Sequence, residues 1–408
     1  MENIDFITYE KAISIIKDYP FKRNIVSFPI EKAGGCILAE TFIADRDFPP
    51  FDRVTMDGIA IQYSSYAKGQ KEFKIASTVA AGSPQSDLAD PTQCIEIMTG
   101  AILPLKSDTV IPYENITVEE GKVTLKNFPI REGQNIHFRG SDLKAEATLV
   151  TKGSRLSSAE ISIAAAIGKS HIKVEKLPST VIISTGDELV DINETPQPYQ
   201  IRRSNVYGIQ NTLNEWGIKA DLKHLSDNVL QMESSLKLLL EKYDVLILTG
   251  GVSKGKYDYL PQVLVSLGVK KQFHKIQQRP GKPFWFGTTE NNKRIFALPG
   301  NPVSSFVCLY SYIKKWFQFS LGLEEDNYKV VLDQDLTFEP DLTFFKEAKI
   351  KIDIDGTIRA TPLKGNGSGD FTNLVNADGF LKFPQNKSHF KKGEYFSFIS
   401  FRNLNHLL

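Results

Sequence analysis

Three glycine-containing turns, each directly after an apolar run, are the segments best suited to chemistry: Ser184-Thr185-Gly186-Asp187-Glu188, Thr249-Gly250-Gly251-Val252-Ser253-Lys254-Gly255 and Leu298-Pro299-Gly300-Asn301-Pro302. A Gly250-Gly251 pair lets main-chain amides approach a ligand without a Cβ in the way. A helix starting soon afterwards would add its positive end, a combination suited to phosphate. The segment is not a Walker loop, because no G-x-x-x-x-G-K-[ST] is present, and it lacks the G-x-G-x-x-G dinucleotide fingerprint. The expected ligand is therefore a nucleotide or phosphorylated molecule held by amides. Each turn alone also has an ordinary reading, since strand-to-helix connections commonly use Gly; what singles them out is that they should converge.

Carboxylates gather at the same turns: Asp187, Glu188, Asp227 at an expected helix start, and Asp258 shortly after Gly255. Carboxylates facing a phosphate repel it unless a divalent cation lies between them, so a Mg²⁺ site is the economical explanation. Asp227 alone reads better as a helix N-cap. Arg279-Pro280-Gly281-Lys282-Pro283 sets two cations three residues apart on a stretch stiffened by two prolines, which would preset an oxyanion clamp. In isolation it also reads as a solvated basic turn. Pro49 to Gly58 is a Pro/Gly-bounded loop carrying Asp52 and Asp57, and Met98-Thr99-Gly100-Ala101 is a short polar turn after a strand-like segment. Phe138-Arg139-Gly140-Ser141-Asp142 places an acid beside a cation, usually a surface ion pair.

The elements that must position these residues fall into three stretches. Residues 1–178 combine a short amphipathic helix near Tyr9 to Asp18 with strand-like pieces and Gly/Pro breaks, without βαβ alternation. Ser157 and Glu160 form a capping box for an apolar helix that Gly168 ends. Residues 179–330 alternate strand and helix: Thr180 to Ser184, a helix from Ser204 to Trp216, Asp244 to Thr249, and Arg294 to Leu298. That pattern predicts a parallel sheet with helices on both faces, whose strand carboxyl ends carry all three glycine turns. Asn301 can cap, and Pro302 begin, a long helix reaching Trp316. Residues 331–408 turn to short strands and turn chemistry, which predicts a small β-barrel or sandwich.

With 408 residues the chain is too long for one ordinary core. Its 49 Lys plus Arg against 48 Asp plus Glu give a net charge of +1, so no global field favours nucleic acid or an anionic membrane, and any anion site must be local. Three separated cysteines, Cys36, Cys94 and Cys308, suggest neither a disulfide framework nor a thiolate metal site. The acidic amino terminus and short apolar runs predict a cytoplasmic protein.

Taken together, the segments resemble the molybdopterin molybdenumtransferase family, which includes the carboxy-terminal domain of gephyrin. The family's P-P-F-x-x-x-x-M-D-G stands at Pro49 to Gly58, its T-G-A-x-L-P at Thr99 to Pro104 and its S-T-G-D-E-L at Ser184 to Leu189. An S-N segment after a basic I-R stands at Ile201 to Asn205, G-G-V-S-x-G-x-x-D at Gly250 to Asp258, P-G-K-P at Pro280 to Pro283, and L-P-G-N-P-V-S at Leu298 to Ser304. Order and spacing match over essentially the whole chain.

The resemblance implies an α/β multidomain fold: an irregular, elongated α+β amino-terminal part of two interleaved subdomains, a doubly wound central domain and a carboxy-terminal β-barrel. It implies a homodimer whose site lies between the α/β domain of one subunit and the amino-terminal part of the other. The implied reaction takes adenylyl-molybdopterin and molybdate to molybdenum cofactor and AMP, assisted by Mg²⁺ or a similar divalent cation. A pterin substrate, a molybdopterin adenylyltransferase and apo-molybdoenzymes are the implied partners. By motif position, Glu188 and Asp258 would hold the metal. Gly250, Gly251, Ser253, Gly255, Arg279, Pro280, Gly281, Lys282, Pro299, Gly300, Asn301 and Ser304 would border the substrate. Asp57, Thr99, Asp142 and Asp227 would join Glu188 and Asp258 as catalytic residues.

This sequence departs from the family pattern at Arg279, usually Lys; Ser141, usually Glu; Arg203, usually Asp; and Arg53-Val54-Thr55, usually Asn-Ser-Ala. Arg is planar and bidentate where Lys is a point charge, so oxyanion preference at the clamp would differ. Two other readings compete: an ATP-dependent molybdopterin adenylyltransferase, which the long amino-terminal half argues against, and a non-catalytic scaffold binding partner peptides as gephyrin's domain does. A scaffold need not keep Glu188, Asp258 and Lys282 together, as this chain does.

Overall fold

The structure, a computed structural model, describes residues 6–252, 259–325 and 328–402. The chain divides into two compact units, of which one comprises Phe28–Gly34 and Leu38–Ile172 and the other the remaining described residues.

The first unit is built on a six-stranded sheet in the order Thr109–Pro112, Gly58–Ile61, Gln93–Ile97, Glu72–Val79, Lys122–Leu125, Ile116–Glu119. Its second strand is buried throughout and divides its side chains between two clusters. Ala60 packs with Val54, Val79 and Ile95, whereas Ile59 and Ile61 pack with Phe73, Cys94 and Ile111. That is the two-residue period of a strand covered on both faces. Gly58 pairs with Ile97 in an antiparallel ladder, so the residues just before one strand and just after the other meet at one end of the sheet. A short ladder joins Arg53–Val54 to Ile136–His137, with His137 opposite Arg53. The helix Ser158–Ala166 carries the expected capping box: the Ser157 amide donates to Glu160 Oε2 at 2.6 Å.

In the second unit a six-stranded sheet runs in the order Ala220–Leu225, Thr180–Thr185, Val245–Thr249, Arg294–Leu298, Trp285–Thr288, Lys270–His274. The first four strands are mutually parallel and the last two antiparallel. Consecutive residues take opposite faces. Ile182, Ile247, Phe296 and Leu298 pack with Val206, Ile209 and Leu213 of the helix Asn205–Glu215. Val181, Ile183, Leu246, Leu248 and Ile295 pack with Met232 and Leu236 of the helix Val229–Lys242. The sheet is thus doubly covered, as expected, with an antiparallel extension that the strand–helix alternation did not foretell.

The helical run after Pro302 continues past Trp316 to Leu321, with a π-helical turn at Leu309–Ile313. Gly322, at φ 71°, ends it. The helix Tyr9–Lys17 buries Tyr9, Ala12 and Ile16 in the core of this unit alongside Trp316 and Phe317. Arg294, 4% exposed, donates to the carbonyls of Tyr19 at 2.8 Å and Pro20 at 2.7 Å, so the burial of a guanidinium is compensated by hydrogen bonds. Of the barrel and the sandwich, the barrel is found. Thr343–Ile352, Ile358–Pro362, Tyr328–Leu332, Tyr395–Ser400 and Gly379–Phe383 close on themselves around Leu332, Ile350, Leu381, Phe383 and Phe398.

Candidate active site

The three glycine turns converge at the carboxyl edge of the parallel strands. Thr185, Leu225, Thr249 and Leu298 are the last residues of their strands, and the Gly250 amide donates to the Leu298 carbonyl at 3.1 Å. Gly250 and Gly251 have φ of 96° and 68°. A Cβ on Gly250 would lie 2.9 Å from both the carbonyl and hydroxyl oxygens of Thr185, and one on Gly251 3.1 Å from that hydroxyl. Both positions therefore demand glycine twice over, for backbone conformation and for space. The second and third turns are tied by one side chain: Asn205 Nδ2 donates to Thr249 Oγ1 at 3.2 Å and to the Gly300 carbonyl at 2.7 Å.

Thr185 is 3% exposed and its hydroxyl has no hydrogen-bond partner among the described residues. A buried hydroxyl without a partner is costly, and this one faces the Gly250-Gly251 backbone.

The acids form the rim of this edge. The Asp187 amide donates to Asp227 Oδ2 at 3.4 Å and the Asp227 amide to Asp187 Oδ1 at 3.2 Å, a reciprocal pair. Asp227 is not the N-cap of the following helix; Asn228 is, accepting from the Gln231 amide at 3.1 Å, because the register starts the helix one residue later. Glu188 is exposed and its carboxylate folds back over Gly186. His224 pairs through Nδ1 with Ser184 Oγ at 2.9 Å. Its pKa is pushed down by burial and by Arg203, against the opposing pull of Ser184, Asp187 and Glu188. Arg203 is ion-paired with Asp191, so the departure from the family's Asp is neutralised locally.

The described helix after the Gly250-Gly251 turn is Leu260–Ser266, and its first residue packs against that turn: a Cβ on Gly251 would lie 3.3 Å from Leu260 Cβ. Ser253, Gly255 and Asp258 lie outside the described residues. Asn301 occupies the N-cap position, but its side chain donates to Ser368 Oγ at 2.9 Å rather than capping. Pro302 does begin the helix, and Ser304, one turn in, is buried.

The basic turn is braced from beneath. Gln278, 1% exposed, accepts from the Tyr312 hydroxyl and donates to the Pro280 carbonyl at 2.9 Å. Gly281 is packed so closely that a Cβ would lie 2.9 Å from Cys308 Sγ and 3.4 Å from the Ser304 carbonyl. Arg279 and Lys282 are exposed on this fixed backbone, Lys282 Nζ standing 4.9 Å from the Phe6 ring centroid. Gln278 and Arg279 also pair with Thr343 and Phe344 of the barrel.

The β-rich unit brings its own residues together. Asp57 Oδ1 accepts from the Thr99 amide and hydroxyl, both at 2.6 Å, as the Gly58–Ile97 register requires. Those donors, the hydroxyl first, hold the Asp57 carboxyl below its ordinary pKa. Asp142 is not paired with Arg139, as the local sequence suggested. Arg139 instead donates from Nε to Asp47 at 2.8 Å and from its amide to Asp52 at 2.8 Å. Asp142 Oδ1 lies 2.7 Å from His137 Nε2. Sequence reasoning missed His137, Asn205 and the Thr185 hydroxyl as site members. Asn205 stood in a quoted motif, but the pairing of His137 with Arg53 carries no local signal.

Known proteins bear on this geometry. Residues 7–168 match the MoeA N-terminal region (domain I and II), 181–318 a probable molybdopterin binding domain, and 329–401 the MoeA C-terminal region (domain IV). A molybdopterin molybdenumtransferase from Synechocystis is 41% identical over 400 residues, covering 97% of this chain and 100% of its own. The chain belongs to the molybdopterin molybdenumtransferase family. With that membership it is an enzyme of the transferase class. A Staphylococcus aureus molybdopterin molybdenumtransferase is 30% identical, covering 95% of this chain and 94% of its own. The crystal structure of a molybdopterin biosynthesis MoeA protein from Pyrococcus horikoshii is similar at a TM-score of 0.83, with 27% identity, over 98% of this chain and 100% of that one.

Among the described residues, no group of three or more His, Cys, Asp or Glu side chains could hold a metal ion. Asp187 and Asp227 each spend one carboxylate oxygen on the other's amide, and Asp187 and Glu188 are both exposed at this rim. The described donors thus do not by themselves make a cation site. Among the described residues no helix is long and apolar enough to cross a membrane.

Proposed function

We propose that this molybdopterin molybdenumtransferase family member inserts molybdate into molybdopterin delivered as its adenylate, releasing AMP. The supporting observation is the joining of the three glycine turns around the buried Thr185 hydroxyl, which has no partner among the described residues, with acids on the rim. Amides and a hydroxyl can hold a phosphate there without a P-loop lysine, and preorganised donors act where negative charge develops as the phosphoanhydride is cleaved. Arg279 and Lys282, on their braced turn, present positive charge for an oxyanion such as molybdate. A divalent cation such as Mg²⁺, held by Glu188 and Asp258, would neutralise phosphate charge. Asp57, Thr99 and Asp142 we assign to the same reaction in a homodimer, supplied by the partner subunit. The substrate would come from a molybdopterin adenylyltransferase and the product pass to apo-molybdoenzymes.

The test is incubation with adenylylated molybdopterin, Mg²⁺ and molybdate, following AMP release and reconstitution of an apo-molybdoenzyme. Molybdate-dependent release is expected, lost in the Glu188→Ala, Asp258→Ala double variant. An adenylate that binds but stays intact overturns the reading.

A further inference from the structure

His137 and Arg53 face each other across the two-residue ladder that joins Arg53–Val54 to Ile136–His137. Arg53 Nη2 lies 3.1 Å from His137 Nδ1, and His137 Nε2 lies 2.7 Å from Asp142 Oδ1. A guanidinium has donors and no acceptor, so in this contact Nδ1 must accept. The imidazole proton then sits on Nε2, where it donates to the carboxylate. A directed chain results, from Arg53 through His137 to Asp142, with each polarity fixed by the cation at its start.

We propose that His137 is a positioning residue for Asp142 and that Arg53 fixes the direction of its hydrogen bond. The carboxylate needs such help. It is exposed, on a loop beyond the end of a two-residue strand, and the neighbouring cation Arg139 is engaged by Asp47. Lys144, the other cation of the loop, lies against Gly140 and reaches toward the Arg139 carbonyl at 3.5 Å. His137, by contrast, is held by strand pairing, and its side chain is 30% exposed against 58% for Asp142. The hydrogen bond leaves Asp142 with one oxygen committed and the other free to act. Ser141 brings no second acid to compete for His137, and Arg53 supplies the cation.

This inference rests on the assignment of Asp142 to the proposed reaction, and the experiment separates the two. Full-length His137→Leu is expected to lower kcat for molybdate-dependent AMP release about tenfold, the loss typical of a hydrogen bond to a charged group, with KM for molybdate unchanged. His137→Gln, whose amide can donate from nearly the same place, should stay within about twofold of the wild type. Imidazole ¹⁵N spectra provide a readout independent of turnover. The signal missing from His137→Gln identifies His137 among the six histidines; it should show the Nε2–H tautomer in the wild type and lose that single form in Arg53→Met. Wild-type kcat in His137→Leu beside an inactive Asp142→Asn overturns the positioning role. Full activity in Asp142→Asn overturns the assignment beneath it. If His137→Leu does not fold, an Nδ1–H signal in the wild type still overturns the proposal.

Discussion

The two units hold their candidate residues by different means. At the carboxyl edge of the α/β sheet, position is set by backbone: four buried parallel strands end together, and Gly250, Gly251 and Gly300 let their turns close to contact. In the β-rich unit, position is set by side chains. Asp57 is pinned by Thr99 and the exposed Asp142 by His137 at the end of a two-residue strand. A backbone-built site is rigid and intolerant of added atoms, whereas a side-chain-built site can be weakened one hydrogen bond at a time. Substitution should therefore be all-or-nothing in the first and graded in the second.

The largest effect should come from Gly250→Val. Its φ of 96° and the Thr185 oxygens 2.9 Å from any Cβ leave the side chain no room, so a loss of about 3 kcal/mol is expected, with activity abolished. Chemical denaturation of the variant measures it, and wild-type stability would mean that the turn is not packed as described. Thr185→Val separates stability from function in the same turn. Removing an unpartnered buried hydroxyl should leave stability unchanged or raise it by about 1 kcal/mol, while AMP release falls about tenfold if the hydroxyl serves the substrate. The smallest effect concerns Asp57. Its folded pKa is depressed, so its hold on the turn is present above the ordinary value of 3.8 and lost as pH falls through the lower, folded value. The Thr99 amide resonance should titrate with a midpoint below 3.8, and Asp57→Asn should abolish that titration; a midpoint at the ordinary value would mean the pinning is absent in solution.

The frame of the α/β unit was legible because buried parallel strands leave a coarse signal. Thr180–Thr185, Val245–Thr249 and Arg294–Leu298 are apolar runs stopped by glycine or proline-glycine, and convergence of their turns at the carboxyl edge follows from topology alone. The fine placement of polar side chains was not legible. Whether Asp227 or Asn228 caps a helix depends on one residue of register, and Asn301 finds Ser368 from a distant turn. His137 escaped notice because its pairing with Arg53 comes from a strand ladder across 84 residues, and its other partner, Asp142, stands five residues on with no periodic pattern to mark the contact. The antiparallel extension of the central sheet was missed for the same reason, since a strand's direction is decided by its neighbour.

Gln278 and Arg279 lie on the α/β side of the chain, yet their ladder partners, Thr343 and Phe344, belong to the barrel. Asn301 of the third glycine turn likewise binds Ser368, so during synthesis from the amino terminus both that turn and the basic turn wait for carboxy-terminal residues before their contacts are complete. A chain shortened before Thr343 would lose both sets of contacts and keep the packing of the Gly250-Gly251 turn against Thr185.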